Sequence, residues 1–486
     1  MRTAIIGGGI AGLAAAYELE TARAAGSDCG YTLYEASPRL GGSLATEIVN
    51  GAVLERGPDS FLTEKPAAAA LCRELGLGAD LIGSNDAERK TYILVRNRLV
   101  ALPDGLMFLV PTKLIPTALT RLFSLRTKLR MGLELLHPPR SAGADESVAA
   151  LVERHFGAEA VDRLADPLLS GIYGGDAAQL SARTVLPRLV EMESEYGSLT
   201  RGMLAAHRKM RAKANGNGQP RSAAARTIFT TLRGGMGQLV NAVTARLDQA
   251  SVRTSTPVSG LEKVPGGWKV QAAGKASFYD AVIVASPAWA AGALLSPIDG
   301  ELGEELSAIP YSSSITVNLI YDEAKLGRLP DGFGFLVPAA EGRAMLACTF
   351  VHRKFLDRTP PGKAVLRAFL GGIKNEALLA ETDAVLVETV RRELSEILSE
   401  GVVSTRAMPE HTQVSRWRRA MAQYAVGHQE RRQRIAERVV KLDGLRLAGN
   451  AYDGIGISDC IRLGRQAAKE LLGASETASQ PAIGRV

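Results

Sequence analysis

The chain opens with a sharp alternation of apolar and small residues. Thr3-Ala4-Ile5-Ile6 is an unbroken apolar run, as expected of a strand buried on both faces. Gly7 to Gly12 interrupts it with a glycine-rich turn, and Leu13 to Leu19 is rich in strong helix formers. Tyr31-Thr32-Leu33-Tyr34 then predicts a second strand, closed by Glu35. Strand, tight turn, helix and strand in this order predict an α/β unit.

Further along, the pattern changes. Pro103, Pro111 and Pro116 punctuate an apolar, basic stretch, after which Ala118, Leu122, Leu125, Leu129, Leu133 and Leu136 recur at helical spacing. Arg121, Lys128 and Arg130 lie off that stripe. Residues 212–226 are polar and rich in Gly, Asn and Pro, which predicts a mobile loop. Strand-like runs follow at 281–284, 315–320 and 344–350, an amphipathic helix at 381–398 and a last apolar strand at 445–448. A helix carries Arg462 to Leu472, and the small, polar tail from Gly473 is expected to be disordered. No internal repeat is visible.

Composition adds limits. The 486 residues are 46% hydrophobic and 22% charged, an ordinary globular balance. At about 150 residues per domain, this length predicts two to four domains. The net charge of +7 favours anionic substrates or lipid surfaces. No Lys/Arg tract with interleaved aromatics argues for nucleic acid. Cys29, Cys72, Cys348 and Cys460 are far apart and form no CxxC pair, so they read as packing thiols in a reducing compartment, with no metal site. Neither a signal peptide nor a membrane-spanning run is evident, so a cytoplasmic protein is expected.

The candidate chemistry begins at the glycine turn. Gly7-Gly8-Gly9-Ile10-Ala11-Gly12 fits G-x-G-x-x-G after a strand and before a helix. Gly7 permits the turn, Gly9 lets backbone approach a pyrophosphate, and Gly12 lets helix and strand pack closely. The helix N-terminus offers free N–H groups to the phosphates. Glu35 is placed to bind ribose hydroxyls. This much leaves NAD and FAD open. Arg39-Leu40-Gly41-Gly42 follows, and it resembles the R-x-G-G extension of the amine-oxidase-like FAD superfamily. There Arg39 would offer charge to the pyrophosphate, and Gly41 and Gly42 would let a second backbone stretch lie on the cofactor. Residues 448–460 repeat the order of strand, glycine-rich turn and helix, with Gly449, Asn450 and Gly456 in the turn. That return would supply further backbone donors to FAD.

Six stretches, in order and spanning nearly the whole chain, are similar to the bacterial protoporphyrinogen/coproporphyrinogen oxidase family: residues 55–61, 167–176, 232–237, 332–338, 369–372 and 449–460. The resemblance implies a discontinuous Rossmann-like FAD domain (1–88, 227–286, 441–472), a β-sheet substrate domain (89–102, 287–440) and a helical membrane-binding insert (103–211). Within 103–140, six Lys/Arg face two acids, which suits peripheral contact with an anionic membrane. By the same resemblance, cofactor contacts map onto Ala36, Ser43, Gly57, Pro58, Asp59, Ser60, Val258, Trp417, Ile455, Gly456 and Ile457.

The implied substrate is a reduced tetrapyrrole, with protoporphyrinogen IX the first choice and coproporphyrinogen III the runner-up. Removal of six hydrogens takes three flavin cycles, each closed by dioxygen with release of hydrogen peroxide. Resemblance places the pocket walls near Thr91, Gly171, Leu346 and Phe369. Thr91 stands where some relatives carry a propionate-binding arginine, and Lys90, Arg96 and Arg98 are its basic neighbours in sequence. Asp59 is the candidate for orienting the macrocycle or accepting a pyrrole proton. Rivals are an amine oxidase or carotenoid desaturase of the same superfamily, and a non-catalytic flavin-bearing porphyrin carrier. Oligomeric state is left open, a homodimer included.

Overall fold

A computed structural model describes residues 1–107, 109–139, 143–216, 227–399, 402–404 and 407–479. Five parallel strands form the first sheet, in the order Val252–Arg253, Gly30–Tyr34, Arg2–Ile6, Ala281–Val284, Leu445–Leu447. The apolar run at the start is buried on both faces. Ile5, Leu33 and Ile283 pack against the helix Ile10–Ala24 on one side. Ala4, Ile6, Val282 and Val284 pack on the other side, with helices Ala288–Leu295, Gly300–Ser307 and His428–Val439. Those three helices cover the nucleotide sheet, so the domain edges expected at 287 and 441 cut through one core. The C-terminal helix Ile457–Ser479 lies so close to the first helix that a Cβ on Gly464 would sit 2.0 Å from the Ala11 carbonyl oxygen.

A second, seven-stranded sheet runs in the order His411–Ala422, Tyr311–Asp322, Lys363–Gly371, Met345–Phe350, Gly334–Leu336, Thr91–Val95, Arg98–Ala101. In the strand Tyr311–Asp322, Ile315, Val317 and Leu319 point into a core with the helix Asp383–Leu398. Ser314, Thr316 and Asn318 alternate with them and therefore share the opposite face. That polar face looks toward the nucleotide domain: Thr316 Oγ1 donates to the Arg56 carbonyl at 2.7 Å and Asn318 Nδ2 to that of Glu55 at 3.0 Å.

The leucine stripe departs from the single helix its spacing predicts. Leu114–Leu119 and Leu125–Leu133 are separate helices, and a 3₁₀ turn completes Glu134–Leu136. Leu122 and Phe123 between them are buried in the insert's core, and two adjacent residues cannot both stay on one helical stripe facing elsewhere. Ser124 restarts the helix by capping it, its Oγ accepting from the Thr127 N–H. Leu125, Leu129, Leu133 and Leu136 are left exposed, Leu125 at 84%.

Two other expectations shift. The helix Leu199–Gly216 takes in the first residues of the expected loop, whose remainder, 217–226, lies outside the described residues. The last helix continues to Ser479, past the expected tail start at Gly473, and residues 480–486 lie outside the description. All four cysteines are buried free thiols, and burial pushes Cys72 and Cys460 up to about 12.

Candidate functional site

Parallel strands ending in register bring the three glycine-rich segments to one edge. Ile6 pairs with Tyr34 and with Val284, and Val284 with Leu447, so the segments after Ile6, Tyr34 and Leu447 emerge at the same edge. This is the crevice at the carboxyl ends of the strands, where α/β sheets bind ligands. Gly7 has φ of 111°, and a Cβ there would meet the Ala285 backbone at 2.8 Å. Gly12 is equally constrained, since its Cβ would fall 1.9 Å from the Gly7 oxygen. Gly9 is different. A Cβ there meets nothing within 4 Å, so its approach face is open. The helix it starts has no side-chain cap and no acid in its first turn. The N–H groups of Ala11 and Gly12 have no hydrogen-bond partner among the described residues, whereas Ile10 takes part in the parallel bridge that joins Gly9 to Gly41. Those free donors beside an open glycine suit a pyrophosphate.

Glu35 braces this turn from behind. Its Oε2 accepts the Gly8 N–H at 2.7 Å and its Oε1 the Ser37 N–H at 2.7 Å. Its own backbone joins the segment leading to half-buried Val258, through Glu35 N to Arg253 O and Thr256 N to Glu35 O, both 2.8 Å. Ala36 is exposed beside it. Arg39 is bonded within its own loop. Its guanidinium donates to the carbonyls of Leu40, Gly42 and Leu44, curling the R-x-G-G loop around itself. That loop then lies on the glycine turn: Gly41 N donates to Gly8 O at 2.8 Å, and a Cβ on Gly42 would be 3.1 Å from Gly9 Cα.

The next layer is Gly57 to Ser60. A Cβ on Gly57 would sit 1.9 Å from the Ser43 oxygen and 3.5 Å from the Trp417 ring. Trp417 Nε1 donates to Arg56 O at 2.7 Å, Arg367 Nη2 to Gly57 O, and Thr231 Oγ1 to Asp59 O at 2.6 Å. The Arg56 and Gly57 carbonyls are thus held from the seven-stranded sheet, and that of Asp59 from the strand Phe229–Leu232. The N–H groups of Gly57, Asp59 and Ser60 are without partners among the described residues.

At the C-terminal return, Gly449 has φ of 127° and, like Gly9, open space where a Cβ would lie. Tyr424 staples the loop, its hydroxyl donating to Asn450 O and accepting from Gly454 N, both 2.9 Å. Asn450 Nδ2 bonds Ala420 O at 2.9 Å. The Gly456 N–H, expected to face an anion, is instead taken by Asp459 at 3.3 Å, and Asp459 also pairs with Lys65 at 2.6 Å. Ile455 and Ile457 pack into the two cores flanking the sheet. Ser286 was not foreseen. It lies two residues past the end of strand Ala281–Val284, beside Gly7, and its buried Oγ has no hydrogen-bond partner among the described residues. Its place just past a strand end was the available signal.

Of the candidate pocket residues, Phe369 lies in one row across the second sheet with Leu336, Ala347 and Thr316, on the polar face. A Cβ on Gly171 would be 3.2 Å from Leu336, and one on Gly372 3.2 Å from Leu346, so these four gather at one wall. Thr91 pairs with Gly334, two residues along the same strand from Leu336. Arg96 and Arg98 are not with it. They lie at the far turn of that hairpin, where the Arg96 N–H binds Glu341. Only Lys90 stays beside Thr91.

Asp59 is placed against a base role. Its carboxylate is 3.0 Å from Lys354 Nζ and 3.6 Å from Arg367 Nη1, and accepts Ser60 Oγ at 2.6 Å. Burial alone would raise its pKa, but the two cations and the hydroxyl outweigh that and hold it well below the usual carboxylate range. A carboxylate so stabilised is a poor proton acceptor.

The glycine turns, their free N–H donors and the orphaned Ser286 hydroxyl fit a dinucleotide lying along the strand ends. The model of the flavin-containing amine oxidoreductases matches residues 10–472. The chain belongs to this family. As a flavin-containing amine oxidoreductase it is an FAD protein. It is 33% identical over 471 residues to coproporphyrinogen III oxidase of Bacillus subtilis (strain 168), covering 96% of this chain and 97% of the relative. Against human protoporphyrinogen oxidase the figures are 32% over 494 residues, 96% and 98%. A crystal structure from Exiguobacterium sp. 255-15, whose name places it provisionally among protoporphyrinogen oxidases, superposes with a TM-score of 0.84 at 31% identity, covering 97% and 99%. This flavin-containing amine oxidoreductase is therefore an oxidoreductase of the porphyrinogen oxidase group.

Proposed function

We propose that the chain oxidises a porphyrinogen with dioxygen as final acceptor, coproporphyrinogen III ahead of protoporphyrinogen IX. This reverses the order first expected. The observation that carries it is that relatives from Bacillus subtilis, Staphylococcus aureus and Propionibacterium freudenreichii, at 33%, 30% and 31% identity, are all named coproporphyrinogen III oxidases. FAD, when bound, supplies the two-electron acceptor and its reoxidation by dioxygen. The chain's own residues bind and orient. Ala11 and Gly12 offer N–H donors to the pyrophosphate, with Gly9 leaving room for it. Gly57 and Ser60 present theirs between the nucleotide turn and the second sheet. Phe369, Leu336 and Leu346 give the macrocycle an apolar wall, and Gly171 and Gly372 let it approach closely. Asp59 fixes the loop between cofactor and wall and does not take the proton.

The insert binds the surface of an anionic membrane. Ile115, Leu119, Leu125, Leu129, Leu133 and Leu136 are all exposed, and Arg121, Arg126 and Lys128 lie among them. No described helix is long and apolar enough to cross a membrane. The test of turnover is anaerobic mixing of holoenzyme with coproporphyrinogen III. Bleaching of the flavin absorbance is expected; a flavin that stays oxidised favours the non-catalytic carrier.

A further inference from the structure

Behind the Gly57–Ser60 loop lies a buried group of five charges: Glu55, Asp59, Lys354, Arg358 and Arg367. Arg358 pairs with Glu55 at 2.8 Å, and both side chains are almost fully buried. Asp59 faces two cations, Lys354 at 3.0 Å and Arg367 at 3.6 Å. Three cations therefore stand against two carboxylates. Burial raises the pKa of Glu55, which only deepens the imbalance. Burial also pushes Lys354 down, and Asp59 opposes that. Arg367 remains charged, as guanidinium does in proteins. Its guanidinium carbon is 4.8 Å from the Phe369 ring, and Lys354 Nζ is 4.7 Å from that of Phe229 and 4.9 Å from that of Phe355. Aromatic rings and ion pairs thus enclose the excess charge and keep it from solvent screening.

The loop over this group is the one with unpartnered N–H groups. Gly57 rests on Ser43, Ser43 follows Gly42, and Gly42 lies on Gly9. The excess cation is accordingly one layer behind backbone that borders the FAD crevice. We propose that Lys354 is an electrostatic tuning residue: with it, the buried group carries one net positive charge behind the cofactor loop, which favours the reduced, more negative form of FAD. It is a positioning residue acting through field and loop, without contact to substrate.

A unit charge roughly 10 Å away, in an effective dielectric of about 20, shifts a charge equilibrium about tenfold. For a two-electron couple, tenfold is about 30 mV. The experiment is the midpoint potential of purified holoenzymes, by equilibration with a reference dye, with FAD occupancy read from the visible spectrum. Lys354→Met should be about 30 mV more negative than wild type. Lys354→Arg, which keeps the charge, should match wild type. The double variant Asp59→Asn/Lys354→Met removes one charge of each sign and should return to the wild-type value. An unshifted potential in Lys354→Met at full FAD occupancy overturns the proposal. So does an equal shift in Lys354→Arg, which would trace the effect to disturbed packing. Should the double variant not hold FAD, the Met and Arg variants decide.

Discussion

Replacing Gly9 by alanine separates cofactor binding from folding. Gly9 has φ of −69° and ψ of 177°, a conformation alanine adopts without strain, and the added Cβ meets no atom within 4 Å. The folded apoprotein therefore loses nothing. Its unfolded chain loses freedom, so stability should be equal or higher by about 0.4–1 kcal/mol. The methyl instead fills the face left open for a pyrophosphate. Overfilling a close contact costs about 1–3 kcal/mol, which is about a 5- to 150-fold rise in the FAD dissociation constant. Gly12→Ala is the contrasting case, because its Cβ would sit 1.9 Å from the Gly7 carbonyl oxygen, which cannot give way without parting helix from strand. Apoprotein melting and FAD titration on both variants provide the assay. Gly9→Ala should melt like wild type and bind FAD weakly, whereas Gly12→Ala should melt early or fail to fold. Wild-type FAD affinity in Gly9→Ala, or an apoprotein as unstable as Gly12→Ala, would refute the reasoning.

Other predictions concern the insert, the pH profile and the core. Leu125→Ser with Leu129→Ser should weaken liposome binding by about tenfold or more per leucine, and neutralising Arg121, Arg126 and Lys128 should remove most of the preference for anionic lipid; unchanged co-sedimentation would count against the membrane reading. Arg130 is spared in that test because it caps a helix through the carbonyls of Glu153 and Arg154. Asp59 stays ionised at working pH, so the pH–rate profile should show no limb near pH 4–7 that Asp59→Asn abolishes. Burial pushes His428 down to about 4, against about 6.5 unfolded, so its contribution is complete above pH 6.5 and is lost as pH falls toward 4. That contribution is at most roughly 3 kcal/mol, and His428→Gln should flatten this part of the acid-stability curve; an unchanged slope would remove His428 as its source.

Local patterns in the sequence carried the nucleotide half of the site. The strand, the turn and Glu35 are legible because each acts within about 30 residues, and backbone geometry alone decides why Gly7, Gly9 and Gly12 are glycines. Arg39 was recognisable as part of a motif, but its bonds to three carbonyls of its own loop were not, because they depend on how the loop folds back. Asp59 looked chemically available until the fold brought Lys354 and Arg367 to it from about 300 positions away, a meeting no local pattern encodes. The alternation of Ser314, Thr316 and Asn318 within an apolar strand was a readable sign of a polar sheet face. The leucine stripe read correctly as amphipathic spacing but not as one helix, since buried Leu122 and Phe123 turn the chain inward.

The central claim is most directly tested by incubating purified holoenzyme in air with coproporphyrinogen III and, separately, protoporphyrinogen IX, following porphyrin fluorescence. FAD-dependent porphyrin formation with peroxide release is expected, faster with coproporphyrinogen III. Oxidation of neither porphyrinogen above the enzyme-free rate would contradict it.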